Sequence, residues 1–156
     1  MLGAGDAFPD PMLRDPEGSE QAVSPAWSGG PALIALGHAE CSTTRLALPY
    51  LQRLWARRGA GTSVLAVLQE DAAGARALAA ELDLTLPVQL DEYPYPLSRA
   101  VGLQIVPTFF LVGVDGRVVS TSEGFSRDDL ETFAAALGSI GPLFGVGEEG
   151  PRHRPG

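Results

Sequence analysis

Apolar residues along this chain form short continuous runs, separated by stretches with helical spacing. Residues 31–36, 63–68 and 105–112 are the largely apolar runs, and their length predicts strands buried on both faces of a sheet. Leucines three and four positions apart predict a helix over residues 42–58, with Pro49 inside it as a source of a kink. The pattern therefore predicts strands that alternate with helices.

Local signals add turns and helix ends. Asp71 precedes an alanine-rich stretch and is expected to cap a helix over residues 72–82. Asp115-Gly116 is a two-residue hairpin signal, which predicts an antiparallel strand over residues 117–121. Ser126-Arg-Asp-Asp129 has the spacing of a capping box, and the apolar periodicity behind it predicts a final helix.

Two further regions give shorter elements. Residues 15–18 form a good turn sequence, and short strands at 12–14 and 21–23 would flank it. Another short strand falls within residues 84–90. Residues 91–96 contain two prolines and are expected to form an exposed, irregular loop before one or two helical turns.

The order of these elements indicates an α/β fold. Alternation of strands and helices implies parallel pairing, and the late hairpin adds an antiparallel edge. We therefore expect a central mixed sheet of about five strands flanked by helices. The domain is expected to span residues 1–140, of which 1–30 form a loop-rich N-terminal extension. Residues 141–156 are rich in Gly and Pro and predict a disordered tail.

Composition excludes several classes of function. The chain has 156 residues, 45% of them hydrophobic, which fits one globular domain. A net charge of −8 argues against nucleic acid or an anionic membrane as a partner. One cysteine excludes a disulfide framework, and no metal-binding cluster or phosphate-binding glycine loop is visible, so no metal or cofactor is expected. Without a signal sequence or membrane span, a cytoplasmic location is expected.

The single cysteine, Cys41, falls where the first apolar strand ends and the first helix begins. A helix N-terminus presents unpaired N–H groups and partial positive charge, which favour the reactive thiolate. Arg45, one turn further on, would lower the pKa of Cys41, whereas Glu40 would raise it. His38 would act in either direction, according to its protonation, and is a candidate catalytic base. Because these charges act in opposite directions, the sequence does not decide whether the pKa of Cys41 is raised or lowered.

Several features, in this order and spacing, resemble a known family. Cys41 follows the first apolar strand, Pro49 lies inside the first helix, and Val106-Pro107-Thr108 precedes an apolar strand and an Asp-Gly hairpin. Residues 5–18 supply an N-terminal extension. Over residues 3–140 the chain resembles the redoxin branch of the thioredoxin-fold superfamily. That branch contains thiol–disulfide oxidoreductases of the cytochrome-maturation type and the alkyl hydroperoxide reductase/thiol-specific antioxidant proteins.

The resemblance implies a site. Cys41 would be the attacking cysteine, and Pro107 would be a cis-proline beside it. Val106 would offer backbone groups to an extended substrate, with Glu40 as a further substrate-binding residue. Glu40 stands where the family usually has tryptophan. Thr44 stands where it has the second, resolving cysteine, and is expected to hydrogen-bond near the sulfur.

Two other family features are missing. Ala35 occupies the position of the buried acid that assists proton transfer in thioredoxins. The peroxiredoxin motif Pro-x-x-x-Thr-x-x-Cys is absent, because Ile34 and His38 stand where it needs proline and threonine.

The sequence therefore predicts a thioredoxin-like thiol oxidoreductase that acts through Cys41. Its intermediate would be a mixed disulfide or a sulfenic acid, which an external thiol such as glutathione, or a redox partner protein, resolves. The substrate would be a disulfide or a peroxide. A one-cysteine peroxidase of the peroxiredoxin type and a redox-inactive binding module of the same fold are the alternatives.

Overall fold

The structure is a computed structural model that describes residues 1–148 and 150–156. Over these residues the chain forms nine strands, four α-helices and a short 3₁₀ helix at Ser24–Trp27. The strands are β1 (Met12–Arg14), β2 (Glu20–Ala22), β3 (Ala32–Gly37), β4 (Ser63–Leu68), β5 (Val88–Leu90), β6 (Thr108–Val112), β7 (Val118–Glu123), β8 (Phe125–Ser126) and β9 (His153–Arg154). The helices are α1 (Ser42–Arg57), α2 (Ala72–Leu82), α3 (Pro96–Val101) and α4 (Arg127–Ala136).

Seven strands form one mixed sheet, in the order β2-β1-β5-β4-β3-β6-β7. Strand β3 lies inside it, parallel to β4 and antiparallel to β6, and all six of its residues are buried. This confirms the predicted α/β class and the mixed sheet. The sheet exceeds the expected five strands because the β1–β2 hairpin joins it through the pair Arg14 and Leu90.

The apolar residues of β3 divide between two cores, one on each face of the sheet. Leu33 and Ala35 face a cluster built with α1, α2 and α4, whereas Ile34 and Leu36 face a second cluster. A strand that alternates between two apolar cores must be apolar throughout. This double burial fixes the end of β3, and with it the start of α1.

The second core is closed by the N-terminal extension. Phe8 packs edge-on against Trp27 and Phe110, with ring centroids 5.7 Å and 5.3 Å apart. Residues 5–8 also run beside the start of β7, where the Gly5 N–H donates to the Val118 carbonyl oxygen at 2.8 Å. The extension is thus part of the packed domain.

Most local signals are confirmed, and two turn details differ. Asp71 caps α2 by accepting from the Gly74 N–H at 2.7 Å. The hairpin after β6 has a three-residue loop, because Gly113 pairs with Arg117 and Gly116 adopts a positive φ of 78°. A type I turn followed by a left-handed glycine gives this geometry, in place of the two-residue loop that was predicted.

The predicted capping box at the start of α4 is only half formed. The Ser126 hydroxyl accepts from the Asp129 N–H at 3.2 Å, which is the expected cap. The Asp129 carboxylate instead accepts from the Ser122 hydroxyl at 2.6 Å. A neighbouring strand therefore supplies the partner that the capping box would have taken from the chain's own backbone.

The expectation that Asp91 is exposed is wrong. Its side chain is fully buried and accepts from the N–H groups of Leu97 and Ser98 at 3.0 Å and 2.8 Å, and from the Ser98 hydroxyl. The carboxylate thereby satisfies donors at the start of α3, which has no side-chain cap of its own.

Residues 141–148 and 150–156 are structured where the composition predicted a disordered tail. Strand β9 pairs with β8, and Leu143 is buried in the first core. The Arg127 guanidinium donates to the carbonyl oxygens of Glu148, Gly150 and Pro151. One arginine on α4 thus satisfies backbone groups of a segment whose composition alone suggested no partner. The domain boundary at residue 140 stays a prediction.

Candidate active site

The candidate site forms where β3 meets α1. Strand β3 ends at Gly37, residues 38–40 turn, and Cys41 is the N-cap residue of α1 with extended backbone angles. The Cys41 N–H donates to the His38 carbonyl oxygen at 3.2 Å, which closes this turn. The predicted position of Cys41 at a helix N-terminus is confirmed.

The sulfur takes the place of the usual oxygen cap. It accepts from the Thr44 N–H at 3.5 Å. Partial burial raises the pKa of Cys41, but the neighbouring Thr44 hydroxyl and the N–H groups of Thr44 and Thr43 more than offset this. The positive charge of Arg154 adds to them, and the pKa lies below its usual value. The site therefore favours the thiolate.

Thr44 is positioned tightly for this contact. Thr44 is 2% exposed, and within the described residues its hydroxyl has no hydrogen-bond partner. The hydroxyl is therefore available to donate to a thiolate at Cys41. The side chain fills the space above Gly37, where a Cβ atom would lie 2.6 Å from Thr44 Cγ2. The lack of a side chain at residue 37 is what allows Thr44 to approach β3.

The loop before β6 reaches the same place from the other side. The Cys41 thiol donates to the Val106 carbonyl oxygen, with 3.5 Å between the sulfur and the oxygen. The Val106–Pro107 peptide bond is cis, and Pro107 is buried while Val106 is half-buried. Cys41, Val106 and Pro107 thus meet at one end of the sheet, although 65 residues separate Cys41 from Val106 in sequence.

The charged candidates fall in different places. Arg45 donates to the Ala39 carbonyl oxygen and pairs with Glu81. The arginine whose charge lowers the pKa of Cys41 is Arg154, and not Arg45 as expected. His38 lines the opening beside the sulfur. Glu40 is exposed and lies outside the residues that line this opening.

Sequence reasoning missed the contribution of residues 154–156. The opening over the sulfur is lined by Arg154, Pro155 and Gly156 as well as by the loops of Cys41 and Val106. The one available signal was a pair of arginines, Arg152 and Arg154, in an otherwise acidic chain. Within residues 1–148 and 150–156, no group of three or more His, Cys, Asp or Glu side chains could hold a metal ion.

No helix in the described part of the chain has the length and apolar character needed to cross a membrane. No protein-family model matches the sequence, and no curated protein matches it. Structural likeness is extensive.

The fold is similar to that of a candidate thiol:disulfide interchange protein DsbE from Chlorobium tepidum, with a TM-score of 0.78 and 24% identity over 88% of this chain and 96% of that one. It is also similar to the thioredoxin domain of a thiol-disulfide oxidoreductase from Bacteroides vulgatus, with a TM-score of 0.73 and 19% identity over 86% and 97% of the two chains. Peroxidoxin BcpB from Mycobacterium tuberculosis gives a TM-score of 0.73 and 18% identity over 88% and 97%. The predicted thioredoxin-like fold is therefore confirmed.

Proposed function

We propose that this protein is a thiol–disulfide oxidoreductase that acts through Cys41 alone. The observation that carries the proposal is the placement of the sulfur. It caps α1, accepts from Thr44, and lies 3.5 Å from the backbone of Val106. A sulfur with a lowered pKa beside the backbone of Val106 suits attack on a disulfide held in extended conformation.

The proposed reaction has two exchange steps. The Cys41 thiolate attacks one sulfur of a substrate disulfide, the substrate S–S bond breaks, and the second substrate sulfur leaves as a thiolate. An external thiolate then attacks the substrate-derived sulfur of the mixed disulfide, and Cys41 leaves as a thiolate. The external thiol is needed because the chain has no second cysteine, and the Thr44 hydroxyl stays protonated at neutral pH.

The neighbouring residues take distinct roles in this proposal. Thr44 stabilises the thiolate, and Val106 and Pro107 align the substrate chain beside it. Histidine suits proton transfer near neutral pH, and His38 lines the opening, so we assign it the proton that the leaving sulfur needs. Glutathione or a redox partner protein is the proposed external thiol, and the cytoplasm remains the proposed location.

Incubation with oxidised glutathione tests the proposal. Intact-protein mass spectrometry should show one glutathione per chain, which excess dithiothreitol removes, and the Cys41→Ser control should take up none. If the native protein takes up no glutathione under conditions where free cysteine does, the thiol does not exchange, and the redox-inactive binding module is the better description.

Oxidation by hydrogen peroxide tests the alternative at the same sulfur. A peroxidase would form a sulfenic acid at Cys41, which dimedone traps, and would consume peroxide in the presence of an external thiol. Peroxide consumption that is faster than exchange with oxidised glutathione would assign the protein to the one-cysteine peroxidases instead.

A further inference from the structure

The opening beside Cys41 is already occupied along one side by the chain itself. Strand β9 pairs with β8, and the Pro155 carbonyl oxygen accepts from the Thr43 hydroxyl at 2.8 Å. The Arg154 guanidinium donates to the Ser42 hydroxyl at 2.9 Å, at the first residue of α1. Residues 153–155 thus contact either strand β8 or the two residues that directly follow Cys41.

The same segment reaches the backbone that a substrate would use. Gly156 lies so close to Val106 that a side chain on it would collide with the Val106 carbonyl oxygen. Gly124 has a positive φ of 75°, and a Cβ atom there would lie 2.7 Å from the Arg154 carbonyl oxygen. Both close approaches depend on glycine, so the segment is fitted to this groove.

The segment is attached to the domain at its first residues. Arg127, at the start of α4, donates to the carbonyl oxygens of Gly150 and Pro151 at 3.1 Å and 3.0 Å. The Arg127 N–H also donates to the Arg152 carbonyl oxygen at 2.9 Å. Beyond that point the residues are exposed and are held by a few polar contacts, which is typical of a segment that opens locally.

We propose that residues 150–156 form a strap that occupies the substrate groove beside Cys41, and that a polypeptide substrate must displace this strap to reach the sulfur. The strap also positions Arg154 over the opening. Displacement would therefore remove a cation from the sulfur at the moment when the substrate chain takes its place. This inference rests on the proposed function only for the identity of the displacing molecule, because the strap and its contacts are independent of the reaction.

Two maleimides of different size test the obstruction without any disulfide chemistry. N-ethylmaleimide and a maleimide attached to an extended Gly-Ser peptide carry the same reactive group, so the ratio of their rates cancels the reactivity of the thiolate. Arg127→Ala removes charge-assisted hydrogen bonds from the base of the strap. It should raise the peptide-to-small ratio about tenfold, since one such bond changes an opening equilibrium by about that factor.

The role of Arg154 has its own readout and control. Arg154→Ala should slow alkylation of Cys41 at neutral pH and leave the limiting rate at high pH unchanged, whereas Arg154→Lys should restore the native profile. The other titratable side chain lining the opening, that of His38, is unaltered in these variants. Arg152→Ala is the matched control. Within residues 1–148 and 150–156 the Arg152 side chain pairs with the exposed Asp128 alone, so its loss should leave both readouts native.

A measurement on the native chain covers the case in which Arg127→Ala fails to fold. Amide hydrogen exchange of residues 152–156 should become several-fold faster once N-ethylmaleimide occupies Cys41. The strap is overturned if this exchange is unchanged by the adduct, or if Arg127→Ala folds and leaves the maleimide ratio at its native value. The proposed function fails separately, if no variant takes up glutathione while the maleimide ratio still responds.

Discussion

Substitution of Gly37 by alanine measures how tightly Thr44 is held over the end of β3. A Cβ atom at residue 37 would lie 2.6 Å from Thr44 Cγ2 and 2.9 Å from Thr44 Oγ1, whereas ordinary contacts begin near 3.4 Å. Thr44 is buried in a packed core, so it must shift or change rotamer to relieve the overlap. Either movement carries the hydroxyl away from the Cys41 sulfur.

The expected loss of stability is the balance of two effects. Overpacking of this kind costs about 1–3 kcal/mol. Alanine in a strand recovers about 0.5–1 kcal/mol of the conformational entropy that glycine loses on folding. The net decrease in the free energy of unfolding is therefore about 0–2.5 kcal/mol, which lowers the melting temperature of a domain of this size by up to about 10 °C. The pKa of Cys41 should rise in the same variant.

Urea unfolding in a double-mutant cycle isolates the proposed overlap. Thr44→Ala removes the two atoms that would lie within 3.0 Å of a Cβ at residue 37 and leaves Thr44 Cβ at 3.3 Å. Gly37→Ala should therefore be close to neutral or slightly stabilising in that background. The expected coupling free energy between the two positions is about 1–3 kcal/mol. A coupling below about 0.5 kcal/mol would refute the reasoning, since the cost of Gly37→Ala would then arise elsewhere.

Four further measurements test the site and its support. Asp91→Asn should lower the free energy of unfolding in urea by about 2–4 kcal/mol, because it turns an NH₂ group toward buried donors. The control Glu92→Gln, at an exposed residue, should change the same free energy by less than about 0.5 kcal/mol. Equal effects of the two variants would contradict the buried cap. Iodoacetamide should alkylate Cys41 with a midpoint pH below about 8.5, the value of a free thiol, and Thr44→Val should raise that midpoint; an unshifted midpoint would mean an unactivated thiol. The folded state favours the thiolate, so ionised Cys41 should raise the free energy of unfolding relative to Cys41→Ser. This gain should be complete above the unfolded pKa of Cys41 and should be lost as pH falls through its folded pKa. Thr44→Cys should close an internal disulfide with Cys41 and shorten the lifetime of a glutathione adduct; an adduct without closure would show that residue 44 does not match a resolving position.

Predictions from local patterns succeeded where local physics decides the outcome. Strand β3 could be predicted because burial on both faces requires a continuous apolar run. Helix α1 could be predicted because its buried face repeats every 3.6 residues. The cap at Asp71 depends on residues three positions apart, and it formed as expected. The position of Cys41 followed from the same patterns, since it lies at the junction of the predicted strand β3 and helix α1.

The features that were missed depend on contacts between distant residues. Asp91 lies in a proline-rich stretch, and its burial is understandable only once the N–H groups of α3 turn back toward it. Arg154 reaches Ser42 across 112 residues, and Arg127 satisfies a segment whose composition suggested disorder. Arg45 was expected to act on the sulfur, but the turn before α1 and the side chain of Glu81 hold its guanidinium. Sequence spacing alone carries no information about such competition.

The N-terminal extension has a consequence for self-association. On one side of the sheet, the β1–β2 hairpin covers β5 and ends in a three-residue strand that bears the exposed Glu20. On the other side, residues 5–8 pair with the start of β7. Unpaired sheet edges are templates for aggregation, and short or charged outer strands make poor ones. The N-terminal residues thus cover β5 on one side and the start of β7 on the other, and a chain lacking residues 1–22 should aggregate more readily through edge-to-edge pairing.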